Sequence, residues 1–250
     1  YGSRGNDAAS SAHGLTVQIR LLAGLLVLSL ALTVASLFWS AQSQDKIAEA
    51  DARHLAGTAL KVQMSILQKL LTDYTWWDDA YLKSVAAFDP GWFDENFGNA
   101  DYLRDTFGVT GSFIVGPDNR ILRHMRNSEI VGEASKLKTA DYFGGGIGTL
   151  IQNARRLVDG KFVATAGYAR LDGQYYFASA RAIHPHTDDL IANAAVAPDN
   201  AFVAAFLRPL DAPLLQTLAR DFGLPDLRYI APGDGSGRMP LQSANGKDFG

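Results

Sequence analysis

The 250-residue sequence contains no cysteine, which excludes a disulfide framework, a thiolate zinc site and a cysteine nucleophile together. The absence does not fix the compartment, because many exported proteins carry no disulfide. Proline is scarce, at 9 residues, and positive charge is in slight deficit: 23 Lys+Arg face 26 Asp+Glu, a net charge of -3. Without a basic surplus the chain lacks the electrostatic footprint of nucleic-acid binding, so nucleic acid is disfavoured as a partner. Hydrophobic residues make up 47%, enough for one or two packed domains rather than disorder. The chain starts at Tyr1 rather than Met and stops in a loop-like stretch at Gly250, and both ends are expected to be truncated.

What is abundant is concentrated. The mean hydropathy of -0.03 averages one very apolar segment with a polar remainder. Residues 21–39 read LLAGLLVLSLALTVASLFW, 19 residues without a charge. At a rise of 1.5 Å each they span about 30 Å, one hydrocarbon core. Leu, Val and Phe in this run contribute on the order of -3 to -7 kcal/mol to insertion, which outweighs the polar cost of Ser29, Thr33 and Ser36. A transmembrane helix over 21–39 is therefore expected, with 1–20 as a cytoplasmic tail, 40–232 outside and 233–250 as a loop or truncated end. Two alternatives remain open: a buried core helix, and a cleaved signal peptide with small residues at Val34-Ala35-Ser36. Arg4 and Arg20 before the run, against Asp45, Glu49 and Asp51 after it, favour a cytoplasmic amino terminus, although Lys46 and Arg53 weaken the asymmetry.

Beyond the run, Ala48, Ala52, Leu55, Ala59, Val62, Ile66 and Leu70 recur at spacings of four and three, which predicts a long amphipathic helix continuing to about Ser84. Its seam is suited to pairing two subunits. Val109–Val115 and Arg120–Met125 flank Gly116-Pro117-Asp118-Asn119 as one hairpin. Phe162–Arg170 and Tyr175–Ile183 flank a turn containing Asp172-Gly173 as another. Helices are predicted over Lys136–Phe143, Thr149–Leu157 and Pro213–Phe222, and further strands over Ala201–Leu207 and Leu227–Ile230. The sum is an α+β chain, mainly antiparallel in its sheet, hung from a membrane helix.

The segment Asp73-Tyr74-Thr75-Trp76-Trp77-Asp78-Asp79-Ala80-Tyr81, followed by Asp89, Trp92 and Asn96, resembles the fourth class of CHASE sensory domains over roughly residues 45 to 232. The resemblance implies a relative of the PAS-like Cache domains, in which a long helix packs on a curved antiparallel sheet. It implies a periplasmic input module of a receptor in the bacterial inner membrane. It also implies a second span and a cytoplasmic output beyond Gly250: a GGDEF or EAL module for cyclic-di-GMP, or a histidine kinase.

On a helical wheel Asp73 shares the stripe of Leu55, Ile66 and Trp77, so it is expected to be buried and to need a partner, either the loop around Pro90 to Asn96 or a ligand. Asp78 also falls within the apolar arc, Trp77 reads as a core anchor, and Trp76 on the polar face requires cover from a loop, with Trp92 close by, from a subunit or from a ligand. Tyr168, Arg170, Tyr175, Tyr176 and Arg181 on the second hairpin offer an aromatic and basic lining or ordinary sheet packing. A buried guanidinium among them would favour a carboxylate ligand. The adjacent acids Asp78 and Asp79 diverge by about 100° and do not converge on one atom for acid-base work. His184-Pro185-His186 with Asp188 and Asp189 reads as a solvated loop more readily than as metal ligands, and Gly144–Gly148 as a flexible connection.

The favoured function is thus signal input: sensing of an unknown small molecule or a periplasmic partner, in a homodimer, with no cofactor, no metal and no catalytic residue in this chain. Two rivals are an anchored extracytoplasmic hydrolase using Asp78, His184 and His186, and a dimerising spacer without a ligand.

Overall fold

The computed structural model describes residues 6–131, 146–171, 173–193, 197–224 and 227–228. Its contacts fall into two units, Tyr1–Ala52 and Arg53–Gly250. The predicted helix over Lys136–Phe143, the turn residue Asp172, and Tyr229 and Ile230 lie outside the described residues.

In the first unit, helix α1 (Asn6–Trp76) carries the uncharged run. The large apolar side chains from Leu21 to Trp39 are between 57% and 78% exposed, so among the described residues this run is not a core helix. By length and composition α1 is apolar enough to cross a membrane. Ser29, Thr33 and Ser36 each return their hydroxyl to a carbonyl three or four residues back, which removes the polar cost of carrying them there.

In the second unit α1 ends earlier than its periodicity predicts. Trp77 takes an extended conformation (φ -74°, ψ 136°) and breaks the helix, after which α2 (Asp78–Tyr81) and a π turn (Leu82–Ala86) complete the segment. The buried stripe of α1 is Ala56, Ala59, Leu60, Leu67, Leu70, Leu71 and Tyr74, whereas Leu55, Val62 and Ile66 are 42–43% exposed. Of the expected seam in this unit, Ala59 and Leu70 are inside. Then come α3 (Pro90–Asn96), started by Asp89, and α4 (Ala100–Phe107), started by Asn99, each cap accepting a backbone N–H.

Strands β1 (Gly111–Val115) and β2 (Ile121–Arg126) form the first expected hairpin, and β3 (Glu129–Val131) extends it. Helix α5 (Ile147–Ala154) precedes the small hairpin β4 (Leu157–Val158) and β5 (Lys161–Phe162). Phe162 therefore belongs to that ribbon rather than to the second expected hairpin, which is β6 (Thr165–Leu171) and β7 (Gln174–Ala182). Its turn glycine, Gly173, has φ +81°, as an Asp-Gly turn requires. A short helix α6 (Asp188–Asn193), strand β8 (Val203–Pro209) and α7 (Ala212–Asp221) follow. Leu227 and Arg228 are not in a strand.

The main sheet is antiparallel throughout, in the order β3-β2-β1-β8-β7-β6. Alternation sorts its side chains between two cores. Ile114, Tyr175, Phe177, Ile183, Ala204 and Phe206 pack with α1, α3 and α4. Phe113, Val115, Tyr176, Ala178, Ala180, Val203, Ala205 and Leu207 pack with α5. The architecture is the expected α+β arrangement of a long helix on an antiparallel sheet.

Candidate functional site

The last turn of α1 meets the end of β7. Thr75 is fully buried, and its hydroxyl donates to the Leu71 carbonyl at 2.7 Å. The same oxygen accepts from Arg181 Nη1 at 2.6 Å. Arg181 pairs across the sheet with Ala204 and is only 3% exposed. Its Nη2 lies 3.1 Å from His184 Nε2, and His184 Nδ1 lies 2.9 Å from the Pro185 carbonyl. An arginine only donates and a carbonyl only accepts, so Nε2 is the bare acceptor and Nδ1 bears the hydrogen. His184 is therefore a neutral imidazole in one defined tautomer. Burial holds its pKa below the ordinary 6.5; the Pro185 carbonyl opposes this, and the nearby Arg181 and His186 reinforce it.

Aromatic rings surround the pair. The Arg181 guanidinium carbon is 5.7 Å from the centre of the Trp76 ring. His186 tilts against Trp76 at 4.3 Å, His184 meets it edge-on at 6.2 Å, and Phe162 stands 5.7 Å from His184. Asp78 fastens the loop from below: its Oδ1 accepts from the backbone N–H of His186 at 2.7 Å and of Thr187 at 3.2 Å. The His186 amide is the main cause of a lowered Asp78 pKa.

Comparison with the other arginines shows what is unusual here. Arg123 is paired with both carboxylate oxygens of Asp94. Buried Arg155 donates to the Ala201 carbonyl, Asn119 Oδ1 and the Gly116 carbonyl at 2.6–2.9 Å, within the field of Asp118 and Asp199. Arg208 donates to Gln63 Oε1 within the field of Asp211. Arg181, lowered by burial alone, has no carboxylate partner among the described residues. Among the described residues, a hydroxyl, an imidazole nitrogen and an indole face are what offset its charge. A guanidinium buried on such terms retains unmet demand for an anion.

A second feature is an open groove of about 310 Å³ between Ser65, Gln68, Lys69, Thr72 and Asp73 of α1 and the backbone at Ala164. Gln68 Nε2 bridges it to the Ala164 carbonyl at 3.0 Å. Asp73 is exposed along this groove and is not in the buried stripe; the stripe it shares with Leu55 and Ile66 faces outward. The loop that Asp73 was expected to hold is started instead by Asp89, which accepts from the Trp92 N–H at 3.1 Å.

The other expected residues scatter. Trp77 is 45% exposed, stacked on Tyr74 at 5.3 Å, and is not a core anchor. Half-buried Trp92 lies 5.8 Å from Phe97, and Asn96 donates to the Trp92 carbonyl at 2.9 Å, so these two serve α3 itself. Arg170 is exposed, 5.4 Å from the Tyr175 ring. Tyr176 is buried on the α5 side, five positions from Arg181 and hence on the opposite face. The cavity it lines with Phe113 and Leu207 holds about 10 Å³, room for no more than one water. Of the expected residues the structure thus gathers Trp76, Asp78 and Arg181. It adds Thr75, Phe162, His184 and His186, and the expected solvated loop proves to hold His184 half-buried against Arg181. The available hint was a histidine three positions after an arginine at a strand end. No cluster of three metal-ligating side chains occurs among the described residues.

The family model of the CHASE4 domain matches residues 59–229. Among solved structures, the ligand-binding domain of the Campylobacter jejuni chemoreceptor Tlp3 in complex with L-valine is 16% identical, with 72% of this chain and 66% of that chain covered and a TM-score of 0.33. The sensory domain of Tlp3 (CcmL) is 15% identical, with 72% and 65% covered and a TM-score of 0.31. The match thus spans slightly less than two thirds of those domains. No curated protein matches the chain.

Proposed function

Because the chain belongs to the CHASE4 domain family, and its role is accordingly one of sensing, we propose that it is the periplasmic signal-input part of a receptor anchored in a bacterial inner membrane. The observation that carries the placement is the exposed, uncharged 21–39 run, which lies in the same helix, α1, that supplies Thr75 and Trp76 to the site. The amino terminus is cytoplasmic, a small molecule or periplasmic partner is the signal, and the output is a cyclic-di-GMP cyclase or phosphodiesterase or a histidine kinase outside this chain. Catalysis belongs to that output. Trp76, Asp78 and Arg181 are the input residues. Ligand binding biases α1 only through its different affinity for two states of the site.

The receptor is a homodimer in this reading. Leu55, Val62 and Ile66, spaced seven and four apart and each more than 40% exposed, give a second copy an apolar seam.

The cysteine-free sequence makes the placement directly measurable. In Lys161→Cys and Ser10→Cys variants the introduced thiol is unique. A membrane-impermeant maleimide applied to spheroplasts is expected to label the first at once and the second only after lysis. The reverse pattern, or labelling of both only after lysis, overturns the placement.

A further inference from the structure

We propose that Arg181 and His184 form a carboxylate-binding site whose ligand enters together with one proton, His184 turning from the acceptor of the Arg181 hydrogen bond into a second donor to the same carboxylate. This rests on the sensing role and specifies its ligand by chemical class.

In the structure the pair is closed: Arg181 Nη2 donates to bare His184 Nε2 at 3.1 Å. A carboxylate that reached the guanidinium in this state would displace the imidazole and meet its lone pair, acceptor against acceptor. Protonation at Nε2 removes that conflict and creates another. Two N–H groups, both cationic, then face each other, and an anion between them restores a donor and acceptor at each contact. One carboxylate oxygen accepts from Arg181 Nη2 and the other from His184 Nε2. The proton comes from solvent and stays on His184, so no bond of the ligand is broken.

The surroundings suit this exchange. Among the described residues, the charged or titratable groups that act on His184 are Arg181 on β7 and His186 on its own loop, while Asp78 on α2 is held by the His186 and Thr187 amides. Trp76 from α1 and Phe162 from β5 present rings without charge. Among the described residues no carboxylate is hydrogen-bonded or ion-paired to Arg181 or His184. Arg181 is 3% exposed, but His184 is half-buried, His186 exposed and Trp76 44% exposed, so the path to the guanidinium runs past the His184 ring. The Trp76 and Phe162 rings give the ligand an apolar wall. Because Asp78 ties the loop through backbone amides, release of His184 from Arg181 leaves the loop fastened.

The test is calorimetric titration of the full chain in detergent with acetate and benzoate, and with benzamide as the uncharged counterpart. A carboxylate is expected to bind about tenfold more tightly for each pH unit from 8 downward, levelling once His184 is charged, with uptake of about one proton seen as a dependence of the binding enthalpy on the buffer. Benzamide should not bind. His184→Gln offers Arg181 an amide acceptor that cannot be charged, and it should abolish both the pH dependence and the proton uptake while its melting confirms the fold. The proposal is overturned if neither carboxylate binds at any pH, if benzamide binds as well as benzoate, or if His184→Gln leaves proton uptake unchanged. Inverted cysteine labelling would remove the receptor reading and leave this binding result standing.

Discussion

At the scale of single residues, the unusual chemistry is a charge buried among neutral partners. Arg155 shows how the fold satisfies a guanidinium for structure alone, with three oxygen acceptors and two acids nearby. Arg181 has a hydroxyl, an imidazole and an aromatic face. The neutral His184 has a measurable consequence for stability. Its folded pKa lies below 6.5, so the folded state prefers the uncharged ring. That stabilisation is complete above about pH 6.5 and is lost as the pH falls through the folded value. Burial lowers the pKa of His124 too, with the same sign, so comparison with His184→Gln isolates the site. Melting temperatures of wild type and variant should run parallel from pH 8 to 6.5 and converge or cross below; parallel curves down to pH 5 would show that His184 is not the titrating group. Arg181 and Trp76 were legible in the sequence as candidates, but the neutral His184 that joins them was not. A histidine in a His-Pro-His loop reads as solvated until the end of α1 is placed over it.

Secondary-structure elements were legible where turn chemistry and alternation agreed. Gly116-Pro117-Asp118-Asn119 and Gly173 mark their hairpins, and Asn119 indeed has φ +62°. The seven residues of β6 pair in unbroken register with β7. The phase of helix α1 differs from its periodicity for a physical reason: the helix carries two apolar stripes. Leu55, Val62 and Ile66 form one, and Ala56, Leu60, Leu67 and Leu71 the other, and periodicity alone cannot say which is inside. The same ambiguity covers Asp73, which shares the outer stripe and is exposed. The early end of α1 left no trace, since neither Gly nor Pro marks Trp77. The two stripes separate in a mutational test. Leu71→Ala, at a fully buried position, should cost about 2–5 kcal/mol in denaturant unfolding. Leu55→Ala should shift unfolding of the monomer by less than about 0.5 kcal/mol while weakening self-association in sedimentation. Equal effects on unfolding would mean that the outer stripe is covered within one chain.

For the molecule as a whole, the sensing class was readable because Asp73–Tyr81 with Asp89, Trp92 and Asn96 resembles a known family, and the family model matches 59–229, within the roughly 45 to 232 of that resemblance. The α+β class followed from element order, but the sheet order did not. Nothing local to β8 says that it lies between β1 and β7. That position makes the molecule sensitive to its later residues. A chain ending before Val203 retains the β1–β2–β3 and β6–β7 ladders but loses what joins them. Such a truncation is expected to lose cooperative thermal unfolding, read by near-ultraviolet circular dichroism; a sharp transition in it would show that the halves fold independently.

The central place of β8 also imposes an order in time. A ribosome makes β1 about 90 residues before the strand that covers its open edge. Until Val203–Pro209 emerges, Phe113 and Ile114 have no neighbour on that side, and Ala178 and Ala180 on β7 wait in the same way. Until then the main sheet is two separate ladders, β3–β2–β1 and β7–β6, each with one edge waiting for the same strand. The sheet's central pairings, β1 with β8 and β7 with β8, are thus the ones that depend on the latest-made strand.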